Sequence, residues 1–353
     1  MVDCVATQWA ECNRNIGAWE GSLSRFEPDG TFVERTPTVL FIYTSTKDDA
    51  DRVAAGGVPY RLDLMLRRTE KQSDAKQMYF QGVDLAQSGM VYGPGGWLCA
   101  GQTYASTVGA LYVEQNINAA ADGAGGAGPP PPPPPLLPPG AAAARIVGRV
   151  RMVTVYTAEG HLRGLSLFRE RPSALDPGLP HPTVVPAEAA ATDFPAAADL
   201  GSVDATPDAL VGTWAGTAVA VSPAGAASSP TAYTLTVGLQ GSALSLTTAS
   251  DDTGGDGGGG GGGGSPPSRT GTVTPGGRLA VMGGGGESGT PTHLLFLGGG
   301  VTALLPGVRP AGAAFGVELG WLTGADSRLR IVRRYGADGR WVGSTFLRER
   351  RDG

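Results

Sequence analysis

The sequence predicts an all-β chain built from two tandem, antiparallel, many-stranded units, and three observations predict it. Apolar residues alternate with period two, as in Tyr60-Arg61-Leu62-Asp63-Leu64-Met65-Leu66-Arg67 and Ala232-Tyr233-Thr234-Leu235-Thr236-Val237. Turn sequences such as Glu27-Pro28-Asp29-Gly30 and Gly336-Ala337-Asp338-Gly339 stand between apolar and aromatic runs. The two halves also begin alike and end alike. No long amphipathic helix is written in the chain, and about eight to ten short strands are expected in each half.

The first half opens on Thr7-Gln8-Trp9-Ala10-Glu11, which reads as a turn of helix, followed by Gly17-Ala18-Trp19-Glu20-Gly21-Ser22. The second repeats the arrangement. Thr206-Pro207-Asp208-Ala209-Leu210 supplies an N-cap, a proline at the first helical position and one short turn, and Gly212-Thr213-Trp214-Ala215-Gly216-Thr217 follows. At their far ends, Arg149 to Arg171 and Arg328 to Arg350 superpose without gaps. They share two Arg, a Tyr, two Gly and the triplet Arg-Glu-Arg. Each copy reads as a β-hairpin whose turn ends in Gly.

Of the 353 residues, 57 are Gly and 28 are Pro, well above the usual share. Much of the excess falls in three segments. Residues 119–144 hold the run Pro129 to Pro135, an extended polyproline rod inserted in a loop of the first unit. Residues 249–268 hold the run Gly257 to Gly264, a tether inserted in the second. Residues 172–205 are rich in Pro and Ala and divide the chain. The expected organisation is therefore a first barrel over 7–171, a linker over 172–205 and a second barrel over 206–351.

Composition excludes several classes of function. A net charge of −5 does not suit a nucleic-acid binder that relies on bulk positive charge. The longest apolar stretch, Leu294 to Val308, is interrupted by Gly298, Gly299, Gly300 and Pro306, so no membrane-spanning helix is expected. No secretory or transit segment is legible before Trp9. Cys4, Cys12 and Cys99 form no C-x-x-C pair, which suggests neither a disulfide framework nor a zinc site.

Chemistry is sparse. His161, His181 and His293 are isolated in sequence, Cys99 has no indicated base, and the glycine runs lack the strand–turn–helix context of a dinucleotide site. Asp48-Asp49 and Asp251-Asp252 read as solvated loops. The expectation is a non-enzyme with no catalytic residue, no metal site and no cofactor. The conspicuous feature is a cluster of Arg328, Arg330, Arg333, Arg334, Arg340, Arg348, Arg350 and Arg351 around the last hairpin. Arg333, Arg334 and Arg340 are the candidate docking surface for an acidic protein partner, since Arg forks pair with carboxylates.

A short helical lead-in, G-x-W on the first strand and Arg on the last resemble the lipocalin or calycin barrel. That resemblance implies that the indole closes one barrel end and a guanidinium packs across it. It assigns barrel closure to Trp19 with Arg169 or Arg171, and to Trp214 with Arg348 or Arg350. Strand alternation puts Arg169 and Arg171 on one face and Glu170 on the other.

Further stretches, Gln8-Trp9 through Asn13, Asp29-Gly30, Thr36-Pro37 and Gly320-Trp321-Leu322 to Arg348-Glu349, are similar to a plant and cyanobacterial family of tandem calycin barrels. That family of largely unknown-function domains includes the chloroplast biogenesis factor required for ATP synthase assembly. The resemblance implies a chloroplast stromal assembly factor that binds subunits of the ATP synthase catalytic head, and the chain is expected to be monomeric. The alternative is a lipocalin-like binder of a small apolar ligand, a tetrapyrrole or a fatty acid, in one of the barrels. The bulky Leu62, Leu64, Leu66, Met78 and Phe80 argue against a roomy cavity.

Overall fold

The computed structural model describes residues 4–44, 60–68, 72–80, 89–101, 110–120, 146–173, 203–250, 268–283 and 289–352. The proline run, the glycine run, His181, Asp48-Asp49 and Asp251-Asp252 lie outside the described residues, as does most of the 172–205 linker. So do the side chains of Leu62, Leu64, Leu66, Met78 and Phe80.

The first half begins with α1 (Cys4–Asn13) and continues with β1 (Gly17–Phe26), β2 (Phe32–Thr44), β3 (Tyr60–Arg68) and β4 (Gln72–Phe80). It ends with β5 (Val91–Gly93), β6 (Trp97–Gly101), β7 (Leu111–Ala120), β8 (Ile146–Tyr156) and β9 (Leu162–Pro172). These form one nine-stranded antiparallel sheet in the order β4-β3-β2-β1-β9-β8-β7-β6-β5. Among the described residues β4 and β5 end the sheet and do not pair with each other.

The second half begins with α2 (Pro207–Leu210), β10 (Gly212–Val221), β11 (Thr231–Gln240), β12 (Ala243–Ser250), β13 (Ser268–Val273) and β14 (Leu279–Met282). Then come β15 (Thr292–Phe296), β16 (Val301–Pro306), β17 (Phe315–Gly324), β18 (Ser327–Tyr335) and β19 (Trp341–Arg351). These ten strands close into a barrel in which β19 pairs with β10.

The duplication read in the sequence extends to geometry. Trp19 of β1 stands opposite Pro172 of β9, and Trp214 of β10 opposite Arg351 of β19. The β8–β9 ladder shifts register between Val155 and Tyr156, and the β18–β19 ladder between Arg334 and Tyr335, the same place in each copy. The cap predicted at Thr206 forms, its hydroxyl accepting from Ala209 N at 3.1 Å. In each half the carbonyl four residues before the tryptophan accepts its indole N–H: Asn15 O at 2.9 Å from Trp19, Leu210 O at 2.8 Å from Trp214.

The G-x-W-x-G pattern has a steric origin. A Cβ built on Gly21 would lie 1.9 Å from Arg169 O, and one on Gly216 2.2 Å from Arg348 O. The last strand of each unit thus crosses the first so closely that only a bare backbone fits. The leading glycines, Gly17 at φ 138 and Gly212 at φ 134, take a backbone conformation that L side chains rarely adopt.

Alternation sends each strand's two faces to different places. Leu235, Val237, Leu244, Met282, Leu294 and Phe296 fill the interior of the second barrel around Trp214. The opposite faces of β16 to β19, including Val301, Ala303, Leu305, Val317, Leu319, Ile331 and Phe346, share one core with Val113, Ile117, Val150, Met152, Leu165 and Leu167 of the first sheet. The two units therefore pack outer face to outer face along an apolar seam. An outer face solvated on every side, the expectation for a free-standing barrel, is not what these residues form.

Gly216→Ala should destabilise the chain by about 2–3 kcal/mol through overpacking. Urea unfolding of the two proteins measures the difference, and an unchanged midpoint would contradict the close crossing.

Candidate functional site

Inside each unit, just below the closing tryptophan, a glutamate from the last strand lies between two arginines from the strand before it. In the first unit Arg149 Nε donates to Glu170 Oε2 at 2.6 Å, and Arg151 Nη2 to Glu170 Oε1 at 3.5 Å. Arg151 Nη1 also reaches Glu114 at 3.0 Å. In the second, Arg328 gives both Nε and Nη2 to Glu349, at 2.5 and 3.0 Å, and Arg330 Nε adds a bond at 3.1 Å. Arg330 Nη1 binds both oxygens of Glu318, at 3.0 and 3.1 Å. Glu170 and Glu349 are fully buried, so each carboxylate must be met by cations. Burial alone would push the Glu349 carboxyl up, but Arg328 and Arg330 outweigh it and hold it at about 2. Burial opposes ionisation of Glu170 as well, and Arg149 and Arg151 hold its pKa below the ordinary value.

The arginines also cover the tryptophans. Arg149 lies 3.8 Å from the centroid of Trp19. Over Trp214 lie Arg328 at 5.1 Å and Arg351 at 4.6 Å, and Arg351 Nη2 donates to Ala209 O at the end of α2. This corrects the assignment of barrel closure. Trp19 and Trp214 are buried at matching places in the two units, but Arg169, Arg171, Arg348 and Arg350 do not cover them. The reason is parity. Glu170 and Glu349 face inward, so the flanking members of each Arg-Glu-Arg triplet face outward. The inward cations come from β8 and β18, and at the next inward position β9 carries Pro172 where β19 carries Arg351. The paired Arg149-x-Arg151 and Arg328-x-Arg330 in the superposing hairpins were the legible signal for these residues.

The outward arginines have other partners. Arg169 leaves the first unit and donates to Leu297 O at 3.4 Å and Gly298 O at 2.5 Å, in the β15–β16 turn of the barrel. Arg348 leaves the barrel and lies 4.9 Å over Trp97, beside Gly95 in the β5–β6 turn of the first unit. Arg171 pairs at the surface with Glu20 at 2.8 Å, and Arg350 is exposed.

Of the three docking candidates, Arg333 must be withdrawn. It is wholly buried in the seam, where Nη1 donates to Gly89 O and Nη2 to Gly101 O, both at 2.9 Å, and Nε to Tyr335 Oη at 2.8 Å. Its guanidinium also lies 4.3 Å over Trp341. A side chain on the outer parity of β18 meets the first unit rather than water. Arg334 and Arg340 are exposed, Arg340 with only a loose contact to Asp338 at 3.7 Å.

The remaining chemistry is quiet. Cys12 is buried beneath Tyr92, and burial pushes its thiol up to about 12 despite the Tyr92 hydrogen bond. Cys99 is buried 3.8 Å from Arg333 Nη1. His161 sits in an exposed bridge opposite Val308, and His293 is half-buried on β15. Among the described residues no three His, Cys, Asp or Glu side chains gather as a metal site, and no helix is long and apolar enough to cross a membrane.

Residues 5–174 match the N-terminal domain of the DUF3598 family, a domain of unknown function, and residues 284–352 match the C-terminal domain of Biogenesis factor required for ATP synthase 1. A crystal structure of a DUF3598-family protein of unknown function from Nostoc punctiforme PCC 73102 superposes with a TM-score of 0.69 at 20% identity, over 98% of this chain and 99% of that one. The two proteins share the fold. The S-type phycobiliprotein lyase CpeS from Guillardia theta covers 46% of this chain and 91% of its own at 11% identity, but a TM-score of 0.26 supports no argument. No curated protein matches the sequence.

Glu349→Gln should cost about 3–5 kcal/mol, because it leaves Arg328 and Arg330 buried without their counter-charge. In the parent chain the pKa values of Glu349 and Glu170 are lower folded than unfolded. Their stabilisation is therefore present above about pH 5 and lost as the pH falls through 4 toward 2. Thermal melts from pH 7 to 2 should show that loss, and a smaller one in the Glu349→Gln protein, where the Glu170 contribution remains. Arg333→Glu should destabilise by about 3–5 kcal/mol, while Arg334→Glu should stay within about 0.5 kcal/mol. Paired urea titrations separate the two.

Proposed function

We propose that the chain is a non-catalytic assembly factor that holds subunits of the ATP synthase catalytic head during their biogenesis in the chloroplast stroma. The observation that carries this reading is the match of residues 284–352 to the C-terminal domain of a biogenesis factor required for ATP synthase. That segment takes in β15 to β19, and so includes Glu318, Arg328, Arg330 and Glu349 of the ion cluster as well as the exposed Arg334 and Arg340.

The physical arrangement supports a scaffold. The charged groups inside the two units neutralise one another, and the barrel interior around Trp214 is occupied by apolar side chains. These features give no support to the ligand-cup alternative. Arg334 and Arg340, on β18 and just before β19, are exposed cations available to an acidic partner surface, where rim charges act mainly on the rate of encounter.

Affinity capture from a chloroplast extract, with the full chain as bait, tests the reading directly. Head subunits of the ATP synthase should co-purify. Their absence, with the bait folded, overturns it. The variant Arg334→Glu/Arg340→Glu should retain the fold and lower capture severalfold at physiological salt. Equal capture would remove these two residues from the docking surface.

A further inference from the structure

The seam between the units repeats itself about a pseudo-two-fold relation. Arg169, two residues before Arg171 at the end of β9, crosses into the glycine-rich β15–β16 turn; Arg348, its counterpart on β19, crosses back to the glycine-rich β5–β6 turn. Around these crossings each unit contributes the same outward parity of its last three strands to one apolar core. The seam is built as an isologous dimer interface is built, with one patch meeting its own copy. It remains partly polar. Gln115 Nε2 donates to Val317 O and Ile331 O at 3.0 Å each, but Gln115 Oε1, Thr154 Oγ1, Ser344 Oγ and Trp341 Nε1 are buried there without partners. Among the described residues no strand runs from one sheet into the other. Among the same residues the main-chain hydrogen bonds across the seam lie at one end, where His161 forms a bridge opposite Val308, Leu162 N donates to Gly307 O at 2.9 Å and Arg309 N to Gly160 O at 2.7 Å.

We propose that this seam is a chain-exchange surface, and that its second occupant is another copy of this chain. In the exchanged dimer the first unit of one chain docks on the barrel of the other, and each seam keeps the contacts described above. The chain length between the units permits it. Residues 174–202 separate Ser173 from Val203, a contour of about 100 Å when extended. Joining the units in one chain makes their docking intramolecular, which favours it at low protein concentration. The single chain therefore dominates in dilute solution, and exchange competes only when units fold at high protein concentration.

The bridge at His161 and Val308 provides the test. Directly opposed residues in an antiparallel pair lie about 4.5–5.5 Å apart at Cα, inside the range a disulfide spans. One full-length chain carries His161→Cys and a second carries Val308→Cys. The two are unfolded together, refolded at micromolar and at near-millimolar concentration, and oxidised. The expected result is a covalent species of twice the chain mass from the concentrated mixture alone, with none from either variant refolded by itself. The double variant should instead close within one chain when dilute. If the mixture gives no covalent dimer while the double variant closes internally, the seam is strictly intrachain and the proposal fails. Equal cross-linking when separately folded chains are merely mixed would also overturn it, since that reports surface contact rather than exchange.

Discussion

A carboxylate with no exposure to water, placed under a tryptophan, constrains most of what surrounds it. Glu170 and Glu349 are tolerable inside their units only because two guanidiniums reach each of them, and those guanidiniums are themselves kept in place by the carboxylates and by aromatic faces. The requirement fixes parity. With the glutamate inward on the last strand, its Arg neighbours must face outward, and the cations must come from the strand alongside. The strand pairing that allows this sets the tryptophan against the last strand's end, so the close crossing at Gly21 and Gly216 follows from the same register.

The two copies meet this requirement unequally. In the barrel, Arg328 and Arg330 bind Glu349 and Glu318 through several well-formed bonds, and Arg351 adds a second cation over Trp214. In the first unit Pro172 stands at the position of Arg351, Arg149 covers Trp19 alone, and Glu114 is more open to solvent than Glu318. A duplicated frame has thus been kept while its details diverged. Buried ion pairs of this sort add little net stability over apolar residues of the same shape. Their geometry also matches the register, since a one-residue slip of the last strand would turn Glu349 to the opposite face from Arg328 and Arg330.

The outward arginines acquired a different role from the same parity. Once the outer faces of the last strands are apolar, the two units must cover each other, and Arg169, Arg333 and Arg348 become the polar elements of a largely apolar seam. Mutual coverage makes the chain one body rather than two barrels on a string. Near the last hairpin Arg334, Arg340, Arg348 and Arg350 are exposed, while Arg328 and Arg333 are buried, so the solvated set is smaller than the run of arginines in the sequence suggests.

The strands, the caps, the turns and the duplication were legible in the sequence because each is a local pattern. Period-two alternation marks strands, Thr206-Pro207 marks a helix start, and two hairpins that superpose without gaps declare a repeat. That Trp19 and Trp214 hold matching places in the two units followed from those repeated patterns. Which arginine meets which tryptophan was not local. It depends on which face of β9 and β19 points inward, and Arg-Glu-Arg reads the same whichever way the strand is turned. The burial of Arg333 likewise required the second unit to be in place, since an arginine on a barrel's outer face is solvated unless another sheet covers it. Sequence alone determined the elements and their repetition; only the tertiary structure decided inside from outside, because that choice rests on packing between residues far apart in the chain.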